Sequence, residues 1–426
     1  MAVAPRLAAL AGQFLGTPLS LRVRAWDGSE SGPPGAPVVV LRNPRALRRL
    51  LFKPGELGLA RAWVAGDLDV EGDLYGALEG LATLFHGGRP PLTGRERLAA
   101  LRELLALTGP LPVPPAPPRE EIRRRGGPLH SPLRDRRAIS HHYDVGNDFY
   151  ELVLGPSMVY SCAVWDDDTA CLEDAQAAKL DLICRKLGLR EGDRLLDVGC
   201  GWGSLVLHAA QRYGVRAVGI TLSAEQAAYA RERVAKEDLG DRVEIRVQDY
   251  RETADGPFDA VSSVGMAEHV GSVRYREYAD RLFGLLRPGG RLLNHQIARR
   301  PMADESAYRI DPFIDAYVFP DGELAPLGRT VSLLEEAGFE VRDVESLREH
   351  YALTLRRWVR NLEADWPEAV RLTSPGRARI WRLYMAASAL AFEHGRIGVN
   401  QVLATRPTEA GDSPLPLRPR VWTEGA

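Results

Sequence analysis

The stretch LLDVGCGWGSL, residues 195–205, constrains this chain more than any other. An apolar strand runs into a turn with glycines at 199, 201 and 203, and then into a helical pattern. Glycine permits positive φ and lets a ligand approach the backbone closely. A bare structural turn would explain the glycines alone, and dinucleotide folds use similar loops, so the flanking residues decide. Asp197 sits in the strand end, before the glycines, and the spacing is not GxGxxG. The next strand, VRAVGIT, ends in Thr221 rather than in the acid that would hold the ribose of NAD.

From about residue 190 strand and helix patterns alternate, which predicts an α/β fold. RLLDVG leads to the helix SLVLHAAQRY, and VRAVGIT to AEQAAYARERVAKE, which Ser223 caps. VEIRVQD ends at Asp249-Tyr250. FDAVSSV precedes the helix REYADRLFGLL, RLLNHQI is the next strand, and VSLLEEAGF leads into FEVRDVESL. The helices TLRRWVRNLEADW and ARIWRLYMAASALAFEH follow. An acid before a GxGxG turn, with an acid and an aromatic closing the third strand, is the arrangement of S-adenosylmethionine-dependent methyltransferases. The cofactor then lies over the carboxyl ends of the strands.

With 426 residues the chain is long enough for two domains. A net charge of −2 argues against bulk electrostatic binding of nucleic acid. Cys162, Cys171, Cys184 and Cys200 show no CxxC spacing, so neither a metal site nor a disulfide framework is expected, and the setting reads as reducing and cytoplasmic. No apolar run approaches the roughly 18–20 residues that span a bilayer. The opening MAVAPRLAALAGQFLGTPLS reads as an amphipathic helix with Leu7, Leu10 and Phe14 on one side. VVVLRNP (38–44) reads as a strand, PRALRRLLF (44–52) as a helix, and 56–81 as a turn-rich stretch running into a helix.

The proline-rich PLPVPPAPPREE (110–121) cannot continue a helix or sheet and sets a domain boundary. This divides the chain into an N-terminal domain (1–109), a Pro/Arg-rich linker (110–139), a C-terminal domain (140–408) and a flexible tail (409–426). In the Arg-rich stretch 119–144, Arg123, Arg124, Arg125, Arg134, Arg136 and Arg137 read either as a solvated loop or as a phosphate-facing segment. In SSVGMAEHVG (262–271), Glu268 and His269 follow a buried strand. They read either as a helix start, where carboxylates favour the positive end of the helix, or as part of a site.

The chain resembles the cyclopropane-fatty-acyl-phospholipid synthase family. The motifs HHYDVGNDFYELVLGPSMVYSCAVW (141–165), LLDVGCGWGSL, GITLSAEQ (219–226), VGMAEHVG (264–271), LLNHQI (292–297) and FIDAYVFPDGEL (313–324) carry the resemblance, which extends from Leu57 to about Thr405. It implies that 140–408 is a class I (Rossmann-like) methyltransferase domain with a seven-stranded mixed sheet, and that 1–109 is a smaller α+β N-terminal domain that associates with lipid or membrane. It implies S-adenosylmethionine at Tyr160, Ser161, Asp197, Gly199, Gly201, Gly203, Thr221, Gln226, Asp249 and Tyr250. It also implies bicarbonate as the base, held by Cys162, Glu268, His295, Tyr317 and the backbone of Ile297. His269 reads as structural, His141 and His142 as positioning the loop near the cofactor, and Cys171, Cys184 and Cys200 as packing residues.

The implied enzyme is cytoplasmic and peripheral on the inner face of the membrane, and it methylates the double bond of an unsaturated phospholipid acyl chain. Attack of the alkene on the sulfonium methyl leaves a carbocation. Direct proton loss closes a cyclopropane, whereas a hydride shift first gives an exocyclic methylene. LREHYALTLRRWVRNL (347–362) and LYMAASALAFE (383–393), with Ser388 where cyclopropane synthases carry Cys, point toward the actinobacterial 10-methylene, tuberculostearic-type branch. That product implies a partner oxidoreductase, and a homodimer is compatible with the resemblance. Cyclopropane synthesis is the alternative, and a non-catalytic lipid-binding protein or a small-molecule methyltransferase the more distant ones.

Overall fold

A computed structural model describes the chain except for residues 1, 16–18, 87–92, 110–112, 123–130, 132–133, 135–144, 167–170, 419 and 421–426. Arg123, Arg124, Arg125, Arg136, Arg137, His141, His142 and the side chain of Phe14 lie outside the described residues. The chain forms two compact units. The first takes residues 1–123, 311–318 and 374–390, and the second takes 124–310, 319–373 and 391–426.

In the first unit, α1 (Val3–Leu15) buries Leu7 and Leu10, as their helical spacing predicts. Strands β1 (Arg22–Arg24), β2 (Glu30–Ser31), β3 (Val38–Leu41) and β4 (Leu68–Glu71) form a sheet in the order β2-β1-β3-β4. Helices α2 (Arg45–Phe52), α3 (Glu56–Val64), α4 (Leu74–His86) and α5 (Gly94–Thr108) complete the N-terminal part. Thr93 and Glu96 cap α5 reciprocally.

The second unit begins with α6 (Asn147–Leu154) and α7 (Leu172–Leu187). The α/β alternation follows as β5 (Arg194–Val198), α8 (Ser204–Tyr213), β6 (Arg216–Thr221), α9 (Ala224–Lys236), β7 (Val243–Val247), β8 (Phe258–Val264), α10 (Tyr275–Leu285) and β9 (Leu286–Arg299). Then come α11 (Pro312–Tyr317), which belongs to the first unit, α12 (Leu327–Glu336), β10 (Glu340–Ser346), α13 (Arg348–Ala364) and α14 (Trp366–Leu372). The long α15 (Pro375–Glu393) gives residues to both units, and β11 (Ile397–Thr405) closes the fold. The seven strands run in the order β10-β11-β9-β8-β5-β6-β7, with β11 antiparallel to both its neighbours. This is the mixed sheet of a class I methyltransferase fold. From β5 the chain turns one way to β6 and β7, and later the other way to β8, so ligands are received at the carboxyl end of β5.

Two expected boundaries differ from the packing. The proline-rich stretch is not a clean division, because 311–318 and 374–390 rejoin the N-terminal unit. Its far end is tied down there: the Ile122 N–H donates to the Ala316 carbonyl at 2.8 Å and Glu121 accepts from Arg61 at 2.7 Å. The tail is also anchored in its described part. Arg291 donates to the Pro414 carbonyl at 2.7 Å, and Arg420 pairs with Asp343 at 2.8 Å.

Candidate active site

A cleft enclosing about 1180 Å³ of empty space, open solvent at its mouth included, lies at the carboxyl ends of β5, β6 and β7. Tyr160, Ser161, Asp197, Gly199, Gly201, Thr221, Gln226, Asp249 and Tyr250 all line it. Gly203 does not. It precedes α8 with φ of 84°, and a Cβ there would meet Ala230 of α9 at 3.1 Å, so this glycine serves helix packing. Gly201, at φ 54°, faces open space instead. The Gly199 and Cys200 N–H groups both donate to the Ile220 carbonyl at 2.9 Å, which ties the turn to β6.

Burial pushes the Asp197 carboxyl up to about 6, against a hydrogen bond of 2.7 Å from Ser262. The Thr221 hydroxyl donates to the Gln226 side-chain oxygen at 2.8 Å, so these two residues hold each other. Asp249 is engaged by Arg251, which donates through Nε at 2.8 Å and Nη2 at 2.6 Å. The Tyr160 ring sits between Tyr150 and Trp358, at 5.6 and 5.4 Å. Sequence reasoning missed Lys179, Trp202, Met266 and Arg274 and read His269 as structural, yet all five line the cleft. His269 also meets Phe319 edge-on at 5.6 Å. Trp202 lies inside the glycine turn, and that position was its signal.

The residues expected at the anion site divide into two groups. Glu268 stands in the first turn of a short 3₁₀ segment, Ala267–His269, and not at the start of α10, which begins at Tyr275. Its buried carboxylate turns to β9, where Oε1 accepts the Ile297 N–H at 2.8 Å. Burial pushes this carboxyl up to about 7. Among the described residues Glu268 Oε2 has no hydrogen-bond partner, and neither do Nδ1 and Nε2 of His295. His295 is 2% exposed and held down to about 3 by burial, then by the charges of Lys179 and Lys186, so its ring is neutral. A neutral imidazole offers one donor and one acceptor. The Cys162 thiol, pushed up by burial, donates instead to the carbonyls of Ala163 and Leu347 at 3.1 and 3.5 Å. Tyr317 belongs to the first unit and donates its hydroxyl to Glu121 at 2.8 Å. Cys184 and Cys200 are buried, and Cys171 caps α7 through its sulfur.

Each orphaned polar atom away from water costs about 1–3 kcal/mol. Glu268 is flanked by Met266 and His269, which line the cleft, and His295 is paired in register with Val264, which also lines it. The orphaned atoms therefore suit a small polar guest beside a larger ligand. Residues 130–402 match the mycolic acid cyclopropane synthetase family. The chain belongs to that family. A probable fatty acid methyltransferase of Mycobacterium tuberculosis (strain ATCC 25618 / H37Rv) is 47% identical over 409 residues, covering 94% of each chain. The tuberculostearic acid methyltransferase UfaA1 of the same strain is 33% identical over 408 residues, covering 92% of this chain and 90% of that one. The crystal structure of the mycolic acid cyclopropane synthase CmaA1, complexed with SAH and CTAB, superposes with a TM-score of 0.60 at 34% identity, covering 63% of this chain and 98% of that one.

Proposed function

We propose that this family member transfers a methyl group from S-adenosylmethionine to the double bond of an unsaturated fatty acyl chain on a phospholipid, giving a 10-methylene chain. One observation carries the reading. Buried polar atoms of Glu268 and His295 stand without partners among the described residues, next to residues of a cleft that suits a nucleoside cofactor. S-adenosylmethionine supplies a methyl group on a positively charged sulfur. Of the residues that line the cleft, Asp249 and Tyr250 would hold its base, Thr221 and Gln226 its ribose, and the open Gly201 turn its amino-acid part. The low-dielectric setting suits an alkene nucleophile and a carbocation, because it keeps out water that would trap the cation.

The residues present fit a small oxyanion such as bicarbonate, which would supply a base for the departing proton. Glu268, poised near neutrality, holds or releases a proton at Oε2, and His295 donates from one ring nitrogen. The donors of Cys162, Ile297 and Tyr317 are engaged elsewhere in this structure, so Glu268 and His295 carry the holding role.

A peripheral membrane position is supported by α5. Leu98, Leu101 and Leu105 are 48%, 44% and 38% exposed at helical spacing, with exposed Arg95 and Arg102 beside them. Such a face suits an anionic bilayer surface. The connector's Arg134 is instead bidentate to Asp321, at 2.6 and 2.7 Å. Among the described residues no helix is long and apolar enough to cross a membrane. An oxidoreductase that reduces the methylene product fits this reading as a partner.

Cyclopropane synthesis is the second reading, favoured by the family match itself. Incubation with S-adenosylmethionine and oleoyl phospholipid vesicles, followed by proton NMR of the extracted acyl chains, separates the two. Vinylidene protons support the methylene product, upfield ring protons give the cyclopropane, and an unmodified chain overturns both.

A further inference from the structure

Helix α7 carries two fully buried lysines seven residues apart. Lys186 is matched: it pairs with Glu345 and donates to Gln401 at 2.7 Å. Lys179 is not matched in this way. It is 2% exposed and lines the cleft, and its one hydrogen bond among the described residues is to the Ser161 hydroxyl at 2.9 Å. An ammonium group has three donors. Burying a charge is expensive unless a counter-charge meets it. Among the described residues Lys179 makes no direct ion pair, and the Asp197 carboxylate acts on it through its field alone. The chain places in the site a cation with most of its donors unused by the described residues.

Its place in the cleft says what it awaits. The lining runs from Asp249 and Tyr250 beyond β7, past Thr221 and Gln226 at β6, to Asp197 at the end of β5 with Ser161 and Lys179 beside it. A nucleoside with a side arm, its base at the β7 end, brings the arm to Lys179. If that arm is an α-amino acid, it carries one ammonium and one carboxylate. We propose that Lys179, held by Ser161, binds the carboxylate of the cofactor's amino-acid end; this rests on the S-adenosylmethionine reading of the cleft. Asp197, of opposite sign, is left to the ammonium. Burial lowers the Lys179 ammonium to about 8, which still leaves it mostly charged at neutral pH. Neutralising this cation with the carboxylate also reduces its repulsion of the sulfonium.

The test compares two ligands by calorimetry at pH 7. S-adenosylhomocysteine keeps the amino-acid end, and methylthioadenosine lacks it. In Lys179→Met, affinity for S-adenosylhomocysteine should fall at least about tenfold, with methylthioadenosine within about twofold of wild type. Lys179→Arg, which keeps the charge, should recover part of the loss. Equal weakening of both ligands, or unchanged S-adenosylhomocysteine affinity, overturns the proposal. If the Met variant does not fold, Lys179→Gln carries the same comparison, because its amide can still donate to Ser161 while the charge is gone. A wild-type protein that binds neither ligand removes the cofactor reading itself, an outcome distinct from a wild type that binds both and a variant that does not discriminate.

Discussion

Replacing Glu268 by Gln separates stability from catalysis at one buried atom. Burial places the folded carboxyl at about 7, against an ordinary value of 4.5. At about 1.4 kcal/mol per pH unit that gap corresponds to about 3 kcal/mol. The folded protein keeps a proton that the unfolded chain releases first. Stability therefore falls as pH rises from about 4.5 through about 7, and the full penalty is present above that range. Gln has no proton to release, and its side-chain oxygen can still accept the Ile297 N–H. The variant should be more stable than wild type by up to about 3 kcal/mol at pH 8, and by less than about 1 kcal/mol at pH 5. Turnover at saturating S-adenosylmethionine should fall by about 10²–10⁴, the usual range for a general acid–base contribution. Urea denaturation at the two pH values and turnover per folded molecule read both quantities on one preparation. A variant less stable than wild type at both pH values, with undiminished turnover, would refute the reasoning.

Gly201→Val places a β-branched side chain at positive φ facing the cleft, so S-adenosylmethionine affinity should fall at least about tenfold, about 1.4 kcal/mol, by calorimetry. Undiminished affinity in a folded variant removes the turn from the site. Changing Leu98, Leu101 and Leu105 together to Ser should weaken co-sedimentation with anionic vesicles while circular dichroism stays the same. Equal binding by the variant means that α5 is not the membrane-facing element.

The alternation from β5 to β9 was legible because those strands are apolar and their helices keep one apolar face. Helix α7 and strand β11 were not read, and the reason is physical. Helix α7 buries Gln176, Lys179 and Lys186, and β11 buries Asn400, Gln401 and Thr405. Buried polar residues interrupt the apolar periodicity that marks an element. The glycine turn announced the cleft because its backbone takes positive φ at Gly199, Gly201 and Gly203. Lys179 gave no such sign, since a lysine in a helix is ordinarily solvated. That Glu268 meets Ile297 depends on where the turn after β8 sits against β9, and Tyr317 meets Glu121 across almost two hundred residues. Neither contact is encoded locally.

The central claim is that the methyl group is built into carbon–carbon bonding of the acyl chain and loses a proton there. Both the methylene and the cyclopropane outcome require it. The direct measurement uses S-adenosylmethionine carrying a trideuterated methyl group, with oleoyl phospholipid vesicles as acceptor and mass spectrometry of the released acyl chains. The account predicts an acyl chain that has gained one carbon and only two of the three deuterons. A product that keeps all three, or that carries the label on the headgroup, would contradict it.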